Sequence, residues 1–179
     1  MTSLEIAGVV FSILGVYFTI QKKIIAWYMN IVASVLYSYL FYENGLFADA
    51  ELQVFFVGSS IYGIIQWQKE TGEWISKRSS KNELLVGLLL TILSGVLIGF
   101  FHQKMSSSVS FPYLDALLTA GSIWSTYLAA KQKIENWICW MVIDVAYSLV
   151  YLSKGLYLTA GLYLLFVILA WRGWRQWSK

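Results

Sequence analysis

Charged residues are scarce in this chain: Asp, Glu, Lys and Arg together make up 13% of its 179 residues, about half the share of a soluble globular domain. Both a soluble enzyme and a disordered tail need a solvated polar surface, so the composition excludes them. A single cysteine, Cys139, and a single histidine, His102, exclude a disulfide framework and leave too few ligands for a four-ligand Cys/His metal site. Neither a metal nor a cofactor is expected. One proline in the whole chain leaves little to interrupt long helices. The net charge of +3 comes with no basic face of any length, which argues against nucleic acid as a partner.

What the chain does have is apolar and aromatic: 58% hydrophobic residues, with 9 Trp, 12 Tyr and 10 Phe, and a mean hydropathy of +0.62. The lipid bilayer is its expected solvent. A bilayer is crossed by about 20 mostly apolar residues in a helix, and such stretches are predicted at 4–20, 24–42, 48–67, 84–101, 113–130, 134–152 and 156–174. The first has no basic segment before it and no small-residue cleavage site after it, so it is read as a span and not as a removed signal peptide.

With seven spans drawn, eleven of the 13 Lys and Arg fall on one side, among them Lys22, Lys23, Lys77, Lys131, Lys133 and Arg175, and only Lys104 and Lys154 on the other. The positive-inside rule makes the rich side cytoplasmic. The chain is thus expected to be a multi-pass membrane protein, amino terminus outside and carboxyl terminus inside. Glu5, Glu43, Asp49, Glu51 and Asp115 lie at or near the outer helix ends. They are either acids left where bases are excluded or a mild cation-attracting vestibule.

Slid against itself by 110 residues, Leu4–Trp67 aligns with Leu114–Trp177 without a gap, and about 20 of the 64 pairs are identical, including Tyr17/Tyr127, Trp27/Trp137, Tyr37/Tyr147 and Gly63/Gly173. Apolar helices share Leu and Val by chance, but not Trp, Tyr and Gly at one fixed offset. Each repeat holds three helices, so a single helix must intervene for the second to start on the same side as the first. The expected fold is all-α and integral to the membrane. Its seven transmembrane helices form a 3+1+3 parallel-repeat arrangement, SWEET-like, with a substrate site near the midplane. The divisions are residues 1–68 for the first three-helix repeat, 69–112 for a cytoplasmic loop and linker helix, and 113–179 for the second repeat.

The sixth span carries Asp144 near its centre, with no Lys or Arg inside a neighbouring span to pair with. An ionisable group there costs at least about 2.5–3.5 kcal/mol on insertion scales, so it should face a wet cavity or a ligand. At about 100° per residue, Trp137, Trp140, Asp144, Tyr147 and Tyr151 share one face. The matching stripe in the first repeat is Trp27, Asn30, Ser34, Tyr37 and Phe41. Two readings of the Trp and Tyr residues stand side by side: interfacial anchoring with ring packing, or an aromatic face for a flat cation with Asp144 as countercharge. Gln66-Trp67 and Gln176-Trp177, which close the repeats, read by default as amphipathic anchors.

The run Glu135-Asn136-Trp137-Ile138-Cys139-Trp140-Met141-Val142-Ile143-Asp144 resembles the WxxWxxx(N/D) signature of the PnuC family of bacterial vitamin transporters. Lys154-Gly155-Leu156-Tyr157-Leu158-Thr159-Ala160 followed by Tyr163 is similar as well, as is Leu40–Ala50 followed by Gln53. The likeness spans nearly the whole chain. It implies facilitated diffusion of an unphosphorylated vitamin, trapped by a cytosolic kinase, in a seven-helix protein that is often a homotrimer. It places Trp137, Trp140 and Asp144 at the substrate, with Asn44, Gln53, Tyr147 and Tyr163 as further polar candidates. The stripe counterparts Trp27, Asn30 and Tyr37 complete the expected set. Nicotinamide riboside and thiamine, both flat cations, suit a Trp pair with an acid better than neutral riboflavin does.

Other classes fare worse. An intramembrane enzyme needs a nucleophile beside a base or a cluster of metal ligands, and the sequence offers neither; no catalytic residue is expected. A scaffold or receptor has no need of a buried carboxylate. Gly45 and Gly155 are expected turns, and the stretch of about 70–83 a solvated cytoplasmic connector.

Overall fold

The computed structural model describes residues 3–43, 47–69, 75–105 and 111–179, and not the side chains of residues 47–49, 51, 102 and 105. Seven helices run in order: α1 Ser3–Ile20, α2 Ile25–Glu43, α3 Phe47–Gln68, α4 Lys81–Met105, α5 Pro112–Ala130, α6 Glu135–Ser153 and α7 Tyr157–Trp177. At about 1.5 Å per residue, helices of this length are about 27–38 Å long, and each falls in the range of about 17–25 residues with which a helix crosses a bilayer. Among the described residues α1, α2, α4, α6 and α7 are also apolar enough to do so. By that measure α3 and α5 fall short, because they carry Gln53, Ser59, Ser60 and Gln66, and Asp115, Thr119, Ser122, Ser125 and Thr126. The ring packing described next gives several of these polar groups a cavity instead of lipid.

Six helices close a ring through the neighbouring pairs α1–α2, α2–α3, α3–α5, α5–α6, α6–α7 and α7–α1, while α4 packs outside it on α5. This is the expected three-plus-one-plus-three arrangement. The inter-repeat seams, α3–α5 and α7–α1, are counterparts under the 110-residue shift. Local geometry repeats in the same register. The turns joining α1 to α2 and α5 to α6 pass through left-handed residues at matched positions, Lys22 (φ 62°) and Gln132 (φ 59°). Ser38 Oγ donates to the Ala50 carbonyl at 3.1 Å, and Ser148 Oγ to the Ala160 carbonyl, also at 3.1 Å. Each bond ties the second helix of a repeat to the third.

Glycine is required where an indole lies against backbone. A Cβ at Gly63 would meet the Trp27 ring, and one at Gly173 the Trp137 ring. On α4 the small residues Gly87, Thr91, Gly95 and Gly99 recur every four positions and so form one face; a Cβ at the three glycines would meet Trp124, Leu117 and Tyr113 of α5 respectively. Leu85, Leu88, Leu89, Leu90 and Leu93 on the rest of α4 are exposed, as lipid contact demands. Gly155 sits at φ +73° between α6 and α7, the turn expected of it; Gly45 lies outside the described residues.

One expectation is corrected. Part of the stretch read as a solvated connector is docked: Lys77 N–H donates to the Gln132 carbonyl (2.9 Å) and Ile134 N–H to the Lys77 carbonyl (3.0 Å). Ser79 N–H donates to Glu135 Oε2 at 2.9 Å, and Lys133 Nζ pairs with Glu83 at 2.9 Å. The strap satisfies the exposed backbone of the α5–α6 turn, something the Ser- and Lys-rich composition of residues 75–81 does not announce.

Candidate functional site

The ring encloses a cavity of about 380 Å³, within the range of about 300–1,000 Å³ usual for small-molecule sites. Trp27, Asn30, Tyr37, Gln53, Trp137, Trp140, Asp144, Tyr147 and Tyr163 all line it. The structure thus brings together nine of the ten residues singled out from the sequence. The tenth, Asn44, lies outside the described residues.

Lining residues pair across the repeats. Ser12 and Ser122, Trp27 and Trp137, Tyr37 and Tyr147, and Phe56 and Phe166 are identical partners 110 residues apart. At seven other pairs the chemistry diverges: Val16 against Thr126, Thr19 against Ala129, Asn30 against Trp140, Ser34 against Asp144, Phe41 against Tyr151, Gln53 against Tyr163, and Ser60 against Ala170. Ser12, Thr19, Ser122 and Thr126 each donate to the carbonyl four residues earlier, at 2.8–2.9 Å, so their helices present hydroxyls whose protons are already bonded.

Asp144 is 5% exposed, and among the described residues it has no ion pair. Asp144 and Asp115 are the charged groups of the lining; no Lys, Arg or His contributes to it among the described residues. A carboxylate held this way, in surroundings of low dielectric, favours a cationic occupant. Beside it stand three tyrosines in mutual ring contact: Tyr147–Tyr163 at 5.1 Å, Tyr151–Tyr163 at 5.3 Å and Tyr147–Tyr151 at 6.2 Å. In the first repeat the matching contact is Tyr37–Phe41 at 5.9 Å. The second repeat therefore supplies the charged and more aromatic wall, and the first an amide and hydroxyl wall.

At the end of the cavity near Lys22, Lys23, Lys131 and Lys133, the floor is made of indoles. Trp27 meets Trp67 edge to face at 5.4 Å, Trp137 meets Trp177 likewise at 5.2 Å, and Trp67 touches Trp177 at 6.3 Å. All four are buried, from 1% exposed for Trp177 to 6% for Trp67. Bilayer anchoring is therefore overturned for Trp67 and Trp177, and excluded as the role of Trp27 and Trp137. Trp67 Nε1 donates to the Ala129 carbonyl at 3.2 Å, and Trp177 Nε1 to the Thr19 and Ile20 carbonyls, both at 3.2 Å. Each bond crosses from one repeat to the other.

The sequence reading passed over Asn136, Thr119 and Thr126 as lining residues. The repeat offers a partial signal, since Thr126 matches Val16 of the lining; Asn136 matches Ala26, and only packing reveals it. Cys139 is partly buried and free. No group of three potential metal ligands occurs among the described residues.

A closed ring of membrane helices around a polar, aromatic cavity on a pseudo-two-fold axis is the design of a small-molecule transporter. Residues 2–179 match the family described as nicotinamide mononucleotide transporter, and the chain belongs to that family, one of transporters and not enzymes. Among curated proteins it is 23% identical to the nicotinamide riboside transporter PnuC of Escherichia coli K12, over 97% of this chain and 84% of that one. It is 18% identical to the riboflavin/roseoflavin transporter RibM of Streptomyces davaonensis, over 97% and 83%. The crystal structure of the vitamin B3 transporter PnuC superposes with a TM-score of 0.79 at 20% identity, over 98% of this chain and 80% of that one, a likeness of fold.

Proposed function

We propose that this chain carries an unphosphorylated, flat cationic vitamin across the cytoplasmic membrane by facilitated diffusion. The preferred substrate is nicotinamide riboside, with thiamine next and riboflavin third. The observation that carries this reading is the buried carboxylate of Asp144 beside Trp140 and a tyrosine cluster, in a cavity with no basic side chain among its described lining residues. A phosphorylated mononucleotide brings negative charge that no described lining residue neutralises, which supports the riboside over its phosphate. At about 380 Å³ the cavity also lies near the small end of its class, which supports the smaller cations over riboflavin.

In this reading Trp137, Trp140, Asp144, Tyr147 and Tyr163 hold the cation, and Asn30, Tyr37 and Gln53 face its hydrogen-bonding end, with Trp27 at the floor. Asn44 belongs to the same proposed set. The excess of Lys and Arg at one end supports an amino terminus outside and a carboxyl terminus in the cytosol. There a kinase would trap the substrate. Division into residues 1–68, 69–112 and 113–179 follows the repeat, and a homotrimer follows the family resemblance; mass measurement in detergent tests the latter.

The test is titration of the purified protein with nicotinamide riboside, thiamine and riboflavin, followed by intrinsic Trp fluorescence, with uptake into proteoliposomes alongside. Saturable quenching by one cation, lost in Trp140→Phe, and uptake that stops at equal concentrations are expected. Uphill uptake driven by a pH gradient would replace facilitated diffusion with proton coupling, and no response to any of the three would remove the substrate assignment.

A further inference from the structure

Three polar side-chain atoms of the cavity lining are buried without a hydrogen-bond partner among the described residues: the indole Nε1 of Trp27, that of Trp137, and Oδ1 of Asn136. Their residues, only 1–2% exposed, belong to the end of the cavity closed by the indole floor. Other polar groups at that end are satisfied. Trp67 and Trp177, the remaining floor indoles, donate to backbone carbonyls, and the hydroxyls of Thr19 and Thr126 bond to carbonyls of their own helices. The three unpaired atoms are also held in place. The Trp27 ring lies against Gly63 and the Trp137 ring against Gly173. Each meets a second indole edge to face, and an aromatic face is a weaker acceptor than an oxygen. The amide of Asn136 is oriented by its own Nδ2, which donates to the Lys133 carbonyl at 2.5 Å. The counterpart of Asn136 in the first repeat is Ala26, so both repeats supply a donor here and one supplies the acceptor.

An unpaired buried polar atom costs stability, and three of them in one lining ask for a function. We infer that Trp27, Asn136 and Trp137 form an inner subsite that takes hydroxyl groups of the substrate, so that a cation held at Asp144 points its hydroxyl-bearing end toward the basic side. This inference rests on the reading of the chain as a transporter of a cationic vitamin. An anion would accept from both N–H groups but repel the amide oxygen; a second cation would suit the oxygen but not the indoles. A hydroxyl accepts from an N–H and donates to an oxygen at once, so two donors with one acceptor suit a pair of neighbouring hydroxyls. Asn136 precedes Asp144 by eight residues on α6, about 12 Å along the helix axis, which separates a hydroxyl station from a charge station on one wall. The three atoms are covered in this conformation, so the substrate reaches them as the lining parts around it. A riboside carries adjacent ring hydroxyls and thiamine a single hydroxyl, and the subsite therefore favours the riboside.

The experiment compares nicotinamide riboside with the 1-methylnicotinamide cation, which keeps the charged ring and lacks every hydroxyl, by fluorescence titration of the purified full-length protein and its variants. The unaltered protein is expected to bind the riboside about tenfold tighter than the methyl cation, or more. Asn136→Ala should weaken the riboside about fivefold or more and the methyl cation less than about twofold. Asp144→Asn should weaken both. Equal loss of the two ligands in Asn136→Ala, or loss of neither, overturns the hydroxyl subsite and leaves the cation site intact. If Asp144→Asn weakens neither ligand, the cationic reading itself falls and takes the subsite with it.

A second variant leaves α6 untouched. Trp27→Phe, on the other repeat, keeps an aromatic ring against Gly63 and removes one donor. It should narrow the preference for the riboside over the methyl cation about threefold. A preference that stays the same in Trp27→Phe overturns the assignment of the indole donors to the substrate hydroxyls.

Discussion

Ser34 of the first repeat occupies the place that Asp144 takes in the second, and Asn30 the place of Trp140, on helices that begin and end at matched residues. Around them the framework is duplicated: the same left-handed turn, the same serine bond from the second helix to the third, the same glycine beneath an indole. The comparison separates two kinds of residue. Residues identical between repeats hold the helices at fixed distances and give the cavity a common lining, as Trp27/Trp137 and Tyr37/Tyr147 do, and those that differ make its two walls unlike. A duplicated framework on its own would give a symmetric site unable to orient an asymmetric molecule. Divergence at lining pairs such as Asn30/Trp140 and Ser34/Asp144 gives it a charged, aromatic side and a neutral, hydrogen-bonding side.

The largest expected effect tests that division directly. Asp144→Asn should weaken binding of a cationic substrate about 10- to 100-fold, or about 1.4–2.8 kcal/mol. Ser34→Ala, at the matched position, should change it less than about threefold; fluorescence titration of both variants checks this. Equal losses would mean that the walls do not differ in function.

Next come the framework glycines, where the repeats should behave alike. A leucine at Gly63 or Gly173 collides with Trp27 or Trp137, and overpacking of this kind costs about 1–3 kcal/mol. Thermal unfolding in detergent should show both variants lowered by similar amounts. A large loss at only one of them would show that the two halves are not equivalent supports. The smallest effect belongs to the serine bonds: Ser38→Ala and Ser148→Ala each remove one interhelical bond, worth about 0.6 kcal/mol in membrane proteins. Both should lower the unfolding temperature slightly and equally.

Much of this was legible in the chain. The seven helices fall within three residues of the stretches drawn from hydropathy, apart from the extension of α4 to Met105, because a bilayer imposes a length and an apolar composition that local sequence must satisfy. The stripe on α6 was legible for a similar reason: a fixed helical period and one uncompensated acid. Less legible were Trp67 and Trp177. An aromatic at the end of a membrane helix has the same sequence context whether it faces lipid headgroups or another helix. Only the closing of the ring, which brings Trp177 to Thr19, 158 residues away, distinguishes the two. The strap was hidden likewise, since its bonds run through backbone N–H and C=O groups that every residue carries.

By itself, then, the sequence determined the solvent, the number of helices, the duplication and the residues with cavity chemistry, because each of these follows from composition, period or an identity at fixed offset. The tertiary structure alone decided the order of helices around the ring, the burial of the four indoles and the docking of the strap on the α5–α6 turn. Those depend on contacts between segments far apart in the chain, where the choice among partners is made by packing and hydrogen-bond geometry that no local window contains.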